Sequence, residues 1–461
     1  MKRGSGALRT RRILTALAAC IVAGCASNEA YHPSADATAC RSAPDSEACR
    51  NSYYQEFESH DFAFVEFTER GNAFDDRRVA DVLDRIGTRA RAGGAVVVVF
   101  VHGWKHNASE EDGNVRSFKE ALRTLGTILG QQYGSGGLRT RRLVGVYVGW
   151  RGASIQLPLV ENLTFWDRKA VAEELGSGGV TRLLLDLDRI TAGEARNVMV
   201  VVGHSFGGAI VVRALSDLIT ERVTNRADDE RARVFADGVL VLNPAIEANQ
   251  ALPFVEAALQ RPYARDQLPL FISISSDADA ATHYAFPAGQ TIGLATWRQA
   301  DLQRSYYHDR RAPEQPLPLR ERHLDATTAG NFAPFLTHRL HADGEGDALR
   351  FTLDTCEAAG ERCRPMGWTT LSGQPTIGPL PAHYPLYFIK TDKSVMTDHN
   401  DIFNQKVRSF VFTVIDDVVR RALAGGVKAA RGEGEPPLIA SPERFAARMN
   451  ALWSQMGSGA R

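Results

Sequence analysis

The sequence predicts an α/β fold in which helices flank a mostly parallel central sheet. Three observations carry that expectation. Residues 95–101, AVVVVFV, are a near-continuous β-branched run, the pattern of a strand buried on both faces. Further apolar runs at 62–67, 143–148, 198–202, 238–242, 268–274 and 386–389 alternate in several places with helical patterns. One run, 198–202, leads straight into Gly203-His204-Ser205-Phe206-Gly207, and a helical pattern follows it.

Composition bounds the rest. The chain has 461 residues, long enough for one large domain with insertions or for two or three domains. It is 44% hydrophobic, which fits a globular chain and argues against extended disorder. Lys plus Arg and Asp plus Glu are both 54, so no basic excess points to a nucleic-acid partner. No internal run reaches the ~18 apolar residues of a membrane-spanning helix.

The first residues read as an address. Lys2, Arg3, Arg9, Arg11 and Arg12 precede an apolar stretch at 13–23, and no acid occurs before Glu29. Basic start plus short apolar core is the layout of an export signal, too short for a stable span. The stretch ends in Val22-Ala23-Gly24-Cys25, which resembles the lipobox of bacterial lipoproteins. That resemblance implies a signal peptide over 1–24 and lipidation of Cys25. Several acyl chains on one Cys anchor stably where one chain is marginal. Ala26, where Asp would favour retention at the inner membrane, implies an outer-membrane anchor facing the periplasm. An ordinary signal peptide with an incidental Cys is the alternative. Thr10-Arg11-Arg12 is a poor match to a twin-arginine signal. Removal of 1–24 takes five basic residues and no acid, leaving 437 residues and a formal charge of −5.

Cys40, Cys49, Cys356 and Cys363 then remain. In an oxidising compartment an even set suggests disulfides, and short spacing favours the local pairs 40–49 and 356–363. Three connectivities are open, and zinc is the rival, although no Cys-x-x-Cys pair is present.

Along the chain, 25–60 is polar and reads as a tether. The main domain is expected over 61–425. The spacing of Val79, Val82, Leu83 and Ile86 predicts a helix over 75–91. Further helices are predicted over 209–223 and 402–419. The roughly 110 residues between the strand ending near Ser276 and the one at 386 far exceed a usual connection. They read as an insertion over about 290–383 that caps the site or decorates the surface. The tail, 426–461, reads as peripheral, with one amphipathic piece at 442–456.

The chemistry gathers at strand ends. In a Gly-x-Ser-x-Gly turn between strand and helix, the nucleophile stands at a strained tip, and Gly203 and Gly207 remove side chains that would clash. The helix N-terminus behind Ser205 suits developing negative charge. The run 95–101 ends in His102-Gly103-Trp104. Together these elements resemble the α/β-hydrolase fold superfamily over residues ~60–425. The resemblance implies that the backbone N–H groups of Trp104 and Phe206 form the oxyanion hole, with only structural roles for the His102 and His204 side chains. It also implies the order nucleophile, acid, histidine. Asp277 and Asp279 both follow the run at 268–274. Asp279 is preferred because Ala278-Asp279-Ala280-Ala281-Thr282, followed by Phe286-Pro287, resembles a stretch in uncharacterised bacterial α/β-hydrolases. Asp277 is the close alternative and Glu247 a third. By the superfamily's layout the base is His399, on the loop after the last strand.

Weaker features are read plainly. The loop 104–107 either contacts substrate or is polar surface. Asp343-Gly344-Glu345-Gly346-Asp347 lacks the full EF-hand pattern and reads as a polar turn. No His-Glu-x-x-His, P-loop or dinucleotide fingerprint implies a metal or cofactor. The expectation is a membrane-anchored serine hydrolase acting on small-molecule or lipid esters. Thioesterase or peptidase activity is open on the same fold, and a non-catalytic envelope lipoprotein is the rival from another class. Ser at the elbow disfavours dehalogenation. The anchor is tested by membrane fractionation: wild type should pellet with membranes and Cys25→Ser should be released, whereas a membrane-bound Cys25→Ser would contradict it.

Overall fold

The β-branched run forms the centre of the sheet, and every one of its residues is buried. The computed structural model describes residues 29–458 apart from 134–140, 153–164, 194–196, 226–231, 294–297, 310–311, 357–374, 378–379 and 424–434. The strands, in chain order, are β1 (Tyr54–Glu56), β2 (His60–Glu66), β3 (Ala95–Val101), β4 (Arg142–Gly149), β5 (Val198–His204), β6 (Gly238–Leu242) and β7 (Phe271–Ser276). They continue with β8 (Asp301–Asp309), β9 (Ala312–Arg320), β10 (His338–Asp343), β11 (Arg350–Thr355), β12 (Pro375–Ile377) and β13 (Leu386–Thr391).

Ten of these strands form one sheet, in the order β1-β2-β4-β3-β5-β6-β7-β13-β10-β11. All pairings from β2 to β10 are parallel, and only the outermost pairs, β1–β2 and β10–β11, are antiparallel. Register follows the alternation of side chains. Val97, Val99 and Val101 enter one core with the helices Asp76–Ala92, Gly179–Ala192 and Phe206–Thr224. Val96, Val98 and Phe100 enter the other with Gly113–Tyr133 and Gln405–Leu423. Burying one such side chain is worth about 1.5–3 kcal/mol, so a single strand ties both helical layers together. The predicted helix at 75–91 is found as Asp76–Ala92, where Asp75 caps the start by accepting from the N–H groups of Arg77 and Arg78.

Three boundaries differ from the sequence expectation. Much of the stretch read as a tether is packed structure, with His32, Cys40, Cys49 and Tyr54 buried. Its strand β1 joins β2, and Tyr54 donates its hydroxyl to the fully buried Asp61, 2.9 Å away. Arg89 and Arg142 also bind Asp61, at 2.9 and 2.7 Å, so that the buried carboxylate is compensated. Cys40 and Cys49 form a disulfide within this segment. Cys356 is also disulfide-bonded, whereas Cys363 and Cys25 lie outside the described residues, as does the whole of 1–24.

The second difference concerns the insertion, which is not one excursion. Its strands β10 and β11 extend the main sheet beyond β13, while β8, β9 and β12 form a separate three-stranded sheet. The Asp343–Asp347 turn joins β10 to β11, with Gly344 at φ 83°. The third concerns the tail. Helix Pro442–Ser458 is not peripheral: Phe445, Met449 and Leu452 are buried in the core shared with Gln405–Leu423. A short amphipathic piece reads as surface in sequence because half of its face is polar, yet the other half completes the core.

Candidate active site

β5 ends at His204, and the helix Phe206–Thr224 begins two residues later. Ser205 bridges them at φ 54° and ψ −120°, a left-handed backbone that few non-glycine residues adopt. The turn is over-determined. The Ser205 N–H donates to Leu242 O, and its carbonyl accepts from the N–H groups of Ala209 and Ala245, each at 3.1 Å. A Cβ on Gly207 would lie 2.0 Å from Val101 O, and one on Gly203 would lie 2.8 Å from Gly207 O. The glycines thus let the elbow pack directly on the end of β3.

Three side chains from distant segments meet at this tip. His399 Nε2 lies 2.8 Å from Ser205 Oγ. His399 Nδ1 lies 2.8 Å from Asp279 Oδ2. A carboxylate only accepts, so Nδ1–H donates to it and Nε2 is left to accept the serine hydroxyl proton. Asp279 is fully buried. Its other donors are the N–H groups of Ala281 and Thr282 and the Thr282 hydroxyl, at 2.9, 3.1 and 2.7 Å. Burial pushes this carboxyl upward, but His399 and Thr282 outweigh it and hold Asp279 below the ordinary carboxylate range.

The neighbouring acids are engaged elsewhere. Asp277 pairs with Arg339 at 3.0 Å and with the buried Lys390 at 3.1 Å. Glu247 meets Lys169 and Gln290, and burial raises its carboxyl despite the lysine. Asp279, not Asp277 or Glu247, is therefore the carboxylate that His399 contacts.

The loop after β3 lies against the serine. A Cβ on Gly103 would sit 2.9 Å from Ser205 Cβ, so only glycine permits the approach. The His102 side chain has the structural role expected of it and orients this loop. Its Nδ1–H donates to Gly103 O at 2.9 Å, and its Nε2 accepts from the Trp150 N–H at 3.0 Å. The ring stacks on Trp150 with centroids 5.4 Å apart, and the Trp150 indole N–H donates to His102 O. In a planar trans peptide C=O and N–H point oppositely. Fixing the Gly103 carbonyl therefore fixes the direction of the Trp104 N–H. Trp150 is remote in sequence, so no local pattern reveals the contact. Further along the loop, Lys105 lies over the Trp104 ring and His106 pairs with Asp112 at 3.1 Å. Among the described residues no cluster of three or more His, Cys, Asp or Glu could hold a metal ion.

The parallel sheet, its flanking helices and the strand–turn–helix elbow define an α/β-hydrolase-like fold. No protein-family model and no curated protein matches the chain. Among solved structures it is similar to phospholipase PlaB from Legionella pneumophila in complex with thio-NAD. The identity is 12%, the coverage is 77% of this chain and 63% of that chain, and the TM-score is 0.26. A second structure of phospholipase PlaB from Legionella pneumophila is 11% identical, with 80% and 65% coverage and the same TM-score of 0.26. The chain thus spans under two thirds of the protein it matches.

Several imidazoles are buried as neutral groups. Burial pushes His60, His102 and His338 down to about 4, and it pushes His204 well below the ordinary value. The unfolded chain protonates these groups near 6.5. Their contribution is fully present above pH ~6.5 and is lost as pH falls toward 4. Each should steepen the loss by about 1.4 kcal/mol per pH unit near pH 5. Urea midpoints at pH 7, 6 and 5 should fall steeply, and a flat profile would contradict neutral burial.

Proposed function

We propose that this chain is a serine hydrolase that cleaves carboxylic esters through an acyl-enzyme. One observation carries the reading, the hydrogen-bonded line from Ser205 through His399 to Asp279. His399 Nε2 takes the Ser205 hydroxyl proton as Oγ attacks the ester carbonyl. The carbonyl oxygen gains negative charge, and the N–H groups of Trp104 and Phe206 stabilise it. One such donor is worth about 3 kcal/mol in the transition state. Collapse expels the alcohol, which receives the proton from His399. Water, activated by the same imidazole, then releases the acid and restores Ser205. Asp279 keeps the imidazole in the required tautomer and stabilises its protonated form, a role that fits its ionised state.

Esters of lipids or other small molecules are the proposed substrates, and no cofactor is invoked. The lipobox-like run ending at Cys25 supports a lipid anchor, and Ala26 after it supports an outer-membrane one that places the site in the periplasm, close to lipid.

Hydrolysis of p-nitrophenyl esters tests the chemistry. Ser205→Ala should abolish turnover, and Asp279→Asn should lower kcat about 10⁴-fold. Asp277→Asn should keep turnover and instead destabilise the fold by about 3 kcal/mol, because Lys390 loses its counter-ion. An inactive wild type would overturn the ester reading, and a folded Asp277→Asn that alone loses turnover would overturn the choice of acid. Activity confined to thioesters or peptides would transfer the mechanism to those substrates.

A further inference from the structure

We propose that His204 and Asn243 are positioning residues that clamp the main chain of His399 and so hold its imidazole in line between Ser205 and Asp279. The proposal rests on the serine-hydrolase reading above and adds two residues to its working parts. His399 lies in the turn between β13 and the helix Gln405–Leu423, so no regular ladder fixes its backbone. Its carbonyl oxygen instead receives two side-chain donors. His204 Nε2 lies 2.9 Å from it and Asn243 Nδ2 lies 3.1 Å from it. A carbonyl oxygen has two acceptor lone pairs, so the two donors fill it.

The donors come from adjacent strand ends. His204 is the last residue of β5, immediately before the nucleophile. A carbonyl only accepts, so His204 must carry its proton on Nε2. Its Nδ1 is buried without a hydrogen-bond partner among the described residues and lies 3.0 Å from where a Gly103 Cβ would be. Burial first, and then the nearby His399, keep this imidazole well below its ordinary range. The two rings are 5.0 Å apart. A charged ring at 204 would oppose the imidazolium that forms on His399, whereas a neutral one donates its hydrogen bond without that cost.

Asn243 follows β6 at φ 43°, where Asn is among the few tolerated side chains. Its N–H donates to Ile274 O at 2.9 Å, and its Oδ1 accepts from the Ser276 N–H at 3.0 Å. One side chain thus bridges the end of β7 and the histidine turn, and Nδ2 also reaches Asp398 O at 3.4 Å. Strands β5, β6 and β7 therefore set the position of a residue that belongs to none of them. The Ser205–His399 and His399–Asp279 contacts are both 2.8 Å, and such a line tolerates little displacement.

The test uses ester kinetics of the full chain. His204→Gln keeps an N–H at similar reach, His204→Leu fills the space without a donor, and Asn243→Gly keeps the left-handed backbone without the amide. His204→Leu and Asn243→Gly should each lower kcat about 10²-fold with KM unchanged. His204→Gln should stay within about threefold of wild type, because the donor is restored. A role in packing alone would leave the folded Leu variant active and would give no rescue by Gln. Either result overturns the clamp, and if one site fails to fold, the other decides. An inactive wild type overturns the serine-hydrolase reading and the clamp together, whereas an active wild type with an undisturbed His204→Leu overturns the clamp alone.

Discussion

The left-handed backbone of Ser205 is the constraint on which the rest of the site depends. Holding a non-glycine residue there costs about 1–3 kcal/mol. The three hydrogen bonds of the Ser205 peptide groups and the packing of Gly207 on the end of β3 offset that cost. The same packing brings Gly103 against Ser205. A side chain at 207 would push the helix off β3 and separate the serine from the loop that carries the Trp104 N–H. The elbow thus sets two distances at once, from Ser205 to His399 and from Ser205 to the loop that follows β3.

Charge is distributed with equal economy. Just beyond β7, the buried Asp279 is held below the ordinary carboxylate range and faces His399 Nδ1. The imidazoles packed nearby, His102 and His204, are kept neutral by burial and serve as directional donors. Asp277 is compensated by Arg339 and Lys390, which separates it from its neighbour two residues on. Adjacent carboxylates on one strand exit therefore have different partners and different work.

Much of this layout is legible in sequence, and the reason is local. The β-branched run, the elbow glycines and the helical spacing after them are short-range patterns with short-range causes, so β3, β5 and the helix Phe206–Thr224 stand where the pattern puts them. Strand order and resemblance point to Ser205, His399 and Asp279, and the structure brings those three side chains together. What sequence hides is tertiary. Residues 54–56 are too short to show a period, yet Tyr54 closes the sheet edge by reaching Asp61. Helix Pro442–Ser458 looks peripheral until its apolar face meets the core. The role of His102 depends on Trp150, and Asn243 meets His399 across 156 positions, so neither contact leaves a local trace.

A Ser205 nucleophile activated by His399 reacts with electrophiles faster than an ordinary serine. The most direct measurement is the site and rate of covalent labelling by a fluorophosphonate, mapped by peptide mass spectrometry. One adduct is expected, on Ser205, formed much more slowly in His399→Ala and absent in Ser205→Ala. An adduct on another residue, or labelling of Ser205 at an unchanged rate in His399→Ala, would contradict it.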